Sequence, residues 1–148
     1  MKPAHVEVDH TLAVPRRVVT ETLLMPALYP SWVEGLRAFE HNVDDEYVAV
    51  FGYLGYAKTA CVRLTADAEG VSWTRLGGNT ALEVRIGAVD AESSGATRVS
   101  LSWTVSGSGF LFGEYSSNPL FRATLHVMAD RSVGRLESVS SRVARREA

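Results

Sequence analysis

Residues 70–106 read GVSWTRLGGNTALEVRIGAVDAESSGATRVSLSWTVS, and the reading of this stretch decides the fold. It divides into three segments, about 70–76, 79–90 and 96–106, rich in Val, Thr and Trp and bounded by Gly, Asn, Asp or Ser. β-Branched and aromatic residues suit a pleated surface and the bounding residues suit tight turns, so three strands are expected. Connections this short join antiparallel neighbours. Val71, Trp73 and Arg75 share one face of the first strand, while Leu82, Val84 and Ile86 oppose an exposed convex-face pair, Glu83 and Arg85, on the second.

The same character continues upstream. Strands are expected at about 37–44, 46–54 and 56–66. A first strand is expected at Val6–Val14, where Val6, Val8, His10, Leu12 and Val14 alternate with Glu7, Asp9, Thr11 and Ala13. Pro15 ends that strand and can open a helix, because its missing N–H costs nothing in a first turn. Val18, Val19, Thr22, Leu23 and Met25 predict a helix over 15–25, and Pro26 and Pro30 leave a second short segment around Ala27–Leu36. Downstream, Phe121, Leu125, Met128, Ser132, Leu136, Val139 and Val143 recur at intervals of three and four. They predict a long helix from about Pro119 to Arg146 lying along an apolar surface. The expectation is one α+β domain over residues 1–148, ordered β-α-α-β6-α, with helices on one face of a seven-stranded antiparallel sheet.

Composition narrows the function. Fifteen basic against seventeen acidic side chains in 148 residues give a net charge of −2, which argues against a nucleic-acid or anionic-membrane binder. The charge is uneven: residues 1–120 carry a net −5 and residues 121–148 a net +3, read as a solvated arginine face on the last helix. No apolar span reaches the length of a transmembrane helix, and MKPAHVEVDH has no hydrophobic signal core. With Cys61 as the lone cysteine, a cytoplasmic, reducing location is expected. The four histidines have no metal-ligand spacing and no phosphate- or dinucleotide-binding glycine motif is present, so no metal and no cofactor are expected.

The turns separate into two kinds. Val43–Glu46, Asp67–Gly70 and Asp90–Gly95 are acidic and ordinary, whereas Tyr53–Tyr56 (YLGY), Leu76–Asn79 (LGGN) and Gly107–Tyr115 are rich in glycine and aromatics. Alternate turns of a meander emerge at the same end. Solvated turns gain nothing from Phe and Leu, so the second set is expected to cover the mouth of an apolar pocket.

Three stretches carry a family resemblance. VEVDHTLAVPRRVVTETLLMPALYPSWVEGLRAFE resembles the opening of the START-like (SRPBCC) superfamily. GVSWTRLGGNTALEVRIGAVDAESSGATRVSLSWTVSGSG is similar to the paired strands of its polyketide cyclase/dehydrase subgroup, with Gly95, Thr97, Arg98 and Val99 near a G-x-T-x-V pattern. VGRLESVSSR resembles the basic end of its terminal helix. The resemblance implies a helix-grip fold, a curved sheet wrapped around the long C-terminal helix with an apolar cavity between them. It also implies a hydrophobic small-molecule partner of polyketide, lipid or quinone type. Some members are cyclases, aromatases or dehydratases of secondary metabolism, and others are non-catalytic carriers or sensors. No shared catalytic triad carries over.

Candidate residues follow from placement. His10 sits among inward apolar positions, and imidazole is the side chain best suited to proton transfer, so it is the leading acid–base candidate. Arg75, on the face of Val71 and Trp73, and Lys58, on the face of Tyr56, Ala60, Val62 and Leu64, are candidates to stabilise an enolate. Trp32, Tyr53, Tyr56, Trp73, Trp103, Phe110, Phe112 and Tyr115 are the expected ligand-binding wall and mouth, each indole N–H finding a partner. His126 falls off the helical stripe and is expected at the surface. A homodimer is compatible with this sequence.

Overall fold

Alternation does build the sheet. In the computed structural model, which describes residues 4–53, 56–77, 81–92, 95–106 and 119–147, β1 (Ala4–Leu12) buries Ala4, Val6, Val8 and Leu12, leaves His10 half-exposed and exposes the others. Strand β1 stops two residues earlier than its alternation predicts. Val14 is buried beyond the strand, where its carbonyl accepts the Thr97 hydroxyl at 2.6 Å. Helix α1 (Arg16–Leu23) follows Pro15, then a 3₁₀ turn (Pro26–Leu28) and the single-turn α2 (Tyr29–Trp32), so two prolines divide the segment as expected.

Six strands complete the sheet: β2 (Leu36–Val43), β3 (Glu46–Tyr53), β4 (Tyr56–Ala66), β5 (Gly70–Arg75), β6 (Ala81–Asp90) and β7 (Thr97–Ser106). Their order is β1-β7-β6-β5-β4-β3-β2 and every pairing is antiparallel. Register shifts in the β2–β3 pair fall between Leu36 and Ala38 and between His41 and Val43. They interrupt one edge of the sheet, as edge strands commonly require. A Cβ on Gly70 would lie 1.8 Å from the Ile86 carbonyl oxygen, so only glycine lets β5 start this close to β6.

Helix α3 (Pro119–Glu147) has 29 residues, about 44 Å of helix. Leu125, Met128, Ser132, Leu136, Val139 and Val143 of the predicted stripe are all buried, joined by Ala129, Val133 and Ser140, while His126 is exposed. Buried Ser132 works at a seam. Its hydroxyl donates to the Met128 carbonyl at 2.8 Å and accepts the Glu34 N–H at 2.8 Å. The half-buried Glu34 carboxylate is 2.6 Å from Arg135 and 3.9 Å from Arg131, fastening α3 to the connection before β2. The domain is thus an α+β helix-grip, with the core between one sheet face and α3.

Candidate ligand-binding site

The inward face of the sheet is aromatic. Cross-strand register places Val6, Trp103, Val84, Trp73 and Leu64 in one continuous row over five strands. Phe51 on β3 meets Trp103 on β7 edge to face, with ring centroids 6.2 Å apart. Four inter-strand steps of about 4.8 Å would hold those strands some 19 Å apart in a flat sheet. The contact therefore requires a strongly coiled sheet whose two halves approach each other across the concave side.

A second ring cluster is built by the short helices. Tyr29 from α2 lies 4.9 Å from Trp73, 5.0 Å from Phe39 and 5.7 Å from Trp32, and Phe39 stacks on Tyr47 at 4.9 Å. The Tyr29 hydroxyl donates to the Leu23 carbonyl at 2.5 Å. Burial raises its pKa well above the ordinary tyrosine value; the nearby Trp73 N–H opposes that rise, although it lies outside hydrogen-bond geometry.

All three tryptophans are fully buried, and none of their Nε1 donors has an acceptor among the described residues. The expectation that each indole N–H would find a partner is corrected here. Leaving a buried donor unpaired costs about 1–3 kcal/mol. Two of these donors stand on strands of the concave wall, Trp73 on β5 and Trp103 on β7, and the third, Trp32, belongs to α2.

The polar candidates are spread along this surface. Arg75 is half-buried, opposite Val62 and two residues beyond buried Trp73. Lys58 is exposed and directly opposite buried Phe51. His10 keeps the inward parity of Val8 and Leu12 but is half-exposed, and its Nε2 donates to Asp130 Oδ1 of α3 at 2.6 Å. Register puts His10 level with Val99 and Ala88, whereas Arg75 is level with Leu82. Six residues of β6, about 20 Å, separate those two levels. The structure thus brings Trp73 and Arg75 together, and Phe51 and Lys58, but does not set His10 beside either cation.

Tyr53 and Tyr56 pair with each other at the ends of β3 and β4, and their side chains lie outside the described residues. Phe110, Phe112 and Tyr115, with most of the expected mouth, also lie outside them. Sequence reasoning missed Asp130 as the partner of His10, and missed Tyr29, Phe39 and Phe51 as wall residues. For Phe51 a signal existed, since it shares the inward parity of Ala49 on a strand already predicted.

The convex face is polar. Glu83 and Arg85 lie on it as expected; Arg85 donates to Ser72 at 3.0 Å and meets Asp67 at 3.1 Å, because Ser72 is its direct cross-strand neighbour. Asp67 caps its own turn by accepting the Glu69 and Gly70 N–H groups, which hold its carboxyl below the usual carboxylate value, with Arg85 adding to the effect. Among the described residues no group of three His, Cys, Asp or Glu could hold a metal ion.

No protein-family model matches the sequence, and no curated protein matches it significantly. Solved structures do match. The Zhui aromatase/cyclase from a Streptomyces species superposes with a TM-score of 0.69 over 99% of this chain and 97% of that one, at 17% identity. A START superfamily protein from Mycobacterium smegmatis gives 0.62 over 91% and 98%, at 14% identity. This is the START-like fold. The di-domain aromatase/cyclase StfQ of the steffimycin biosynthetic pathway also carries it, at a TM-score of 0.70 and 10% identity; this chain covers 96% of its own length and 52% of StfQ. Identities this low carry the START-like architecture and no chemistry.

Proposed function

We propose that this START-like chain binds an apolar small molecule bearing acceptor oxygens, of polyketide or quinone type, between the concave sheet and α3. The observation that carries the reading is the set of buried indole N–H groups of Trp32, Trp73 and Trp103, which have no acceptor among the described residues. A pure hydrocarbon would leave them unpaired, whereas ketone or phenol oxygens would satisfy them. The aromatase/cyclase neighbours support the same ligand class and suggest an aldol-type closure or dehydration. In that chemistry Arg75, on the wall beside Trp73, would stabilise a developing enolate, with Lys58 a second cation opposite Phe51. His10, coupled to Asp130, would move the proton for a substrate long enough to reach it.

A second reading, a non-catalytic carrier, is favoured by the register offset between His10 and Arg75. Titration with a hydroxylated naphthoquinone and with a saturated fatty acid, read by tryptophan fluorescence and native mass spectrometry, tests the binding reading. Tighter binding of the quinone is expected, and equal affinity would remove the basis of the proposal. Turnover of an oxo-chain substrate that Arg75→Gln abolishes while sparing binding separates the enzyme from the carrier.

A further inference from the structure

The whole-chain charge of −2 conceals a cationic, apolar corner. Val139 and Val143 on α3 and Leu28 from the 3₁₀ turn line a cleft of about 120 Å³, and Arg142 and Arg146, one helical turn apart, stand on it. Arg142, Arg145 and Arg146 are exposed, and none makes an ion pair or hydrogen bond among the described residues. Beside the half-buried Leu28 the chain exposes two large apolar residues, Leu24 at 55% and Met25 at 39%, and the Leu28 N–H closes the turn onto the Met25 carbonyl at 3.0 Å. The nearby acid on α1, Glu21, is taken by Arg17 at 2.8 Å.

We propose that this corner docks onto an anionic phospholipid surface. Unpaired guanidinium groups supply attraction to lipid phosphates, and Leu24, Met25 and Leu28 supply apolar side chains for the acyl boundary. A single small anion would use the two arginines of the cleft but would leave Leu24 and Met25 in water. An extended interface uses both. The proposal does not depend on the identity of the concave-face ligand.

Co-sedimentation of the full chain with sonicated vesicles tests it. Binding is expected to vesicles of phosphatidylglycerol and phosphatidylcholine in equal parts, falling as salt is raised, and not to phosphatidylcholine alone. Each arginine near an anionic surface contributes about a fivefold factor, so replacing Arg142, Arg145 and Arg146 together by Gln should weaken binding ~100-fold. Replacing Leu24 and Met25 by Ser should weaken it about tenfold. These side chains are exposed, so circular dichroism should show both variants folded. A control with Arg37, Arg63 and Arg98 each changed to Gln should bind like the parent. The proposal is overturned by equal binding to neutral vesicles, by no binding to either kind, or by a control that loses as much as the α3 variant. It is also overturned if octanoate binds in free solution while vesicles do not.

Discussion

Phe51 and Trp103 touch edge to face, planes at 79°, although β4, β5 and β6 lie between their strands. This contact ties the two halves of the coiled sheet together on the side that faces α3. Phe51→Ala should cost about 3–5 kcal/mol in denaturant unfolding, the range for a fully buried ring. If the concave face is the binding wall, the same variant should accept bulkier quinones than the parent, measured by competitive displacement.

The indole donors can be tested without changing shape. Replacing Trp103 by its benzothiophene isostere, through an expanded genetic code, removes the N–H and keeps the ring size. Because that N–H has no acceptor among the described residues, stability should hold or rise by up to about 1 kcal/mol. Affinity for an oxygenated ligand should fall about tenfold. Unchanged affinity would release Trp103 from the site.

Tyr29 predicts an alkaline limit. Burial holds its phenol neutral in the fold, so the folded pKa lies above the ordinary 10.0. The stabilisation is complete below pH 10 and declines as pH rises toward the elevated folded value, because the unfolded chain ionises first. Tyr29→Phe should cost about 1–2 kcal/mol at neutral pH, by losing the bond to Leu23, and should flatten the stability profile above pH 10.

Asp67 predicts the opposite limb. Its pKa is lowered from 3.8 by backbone donors, so its contribution is present above that value and is lost as pH falls through the depressed one. Asp67→Asn should remove this part of the acid sensitivity in thermal melts between pH 2 and 5, while the neutral-pH fold persists.

Ser132→Ala should destabilise by about 1–3 kcal/mol, because it strands the half-buried Glu34 N–H without its acceptor. Hydrogen exchange at that amide should accelerate. Ser132→Thr retains the hydroxyl and should recover protection if the site admits one more methyl group.

The strands and the α3 stripe were legible because period-two and period-3.6 patterns each follow from one local geometry. Val71 and Trp73 are buried and Thr74 between them and Arg75 is exposed, as alternation requires. Pairings made by folding were not legible. His10 meets Asp130 across 120 positions, and Arg85 chooses Ser72 and Asp67 over its own neighbour Glu83. Nor could spacing show that buried indoles would lack acceptors, since satisfaction depends on what a curved wall brings within 3 Å. Inward parity told which side His10 and Lys58 take, but not that His10 would be half-exposed and Lys58 exposed.

Strand β1 lies at one edge of the sheet with β7 as its strand neighbour, and Ala13 and His10 are held by Glu137 and Asp130 of α3. All of these partners belong to the last third of the chain. On a ribosome, β1 therefore leaves the exit tunnel long before anything exists to pair with it. The middle meander can form first from local hairpins, while closure waits for β1 to meet β7 and α3. Synthesis order thus leaves β1 without its sheet partner until β7 and α3 have been made.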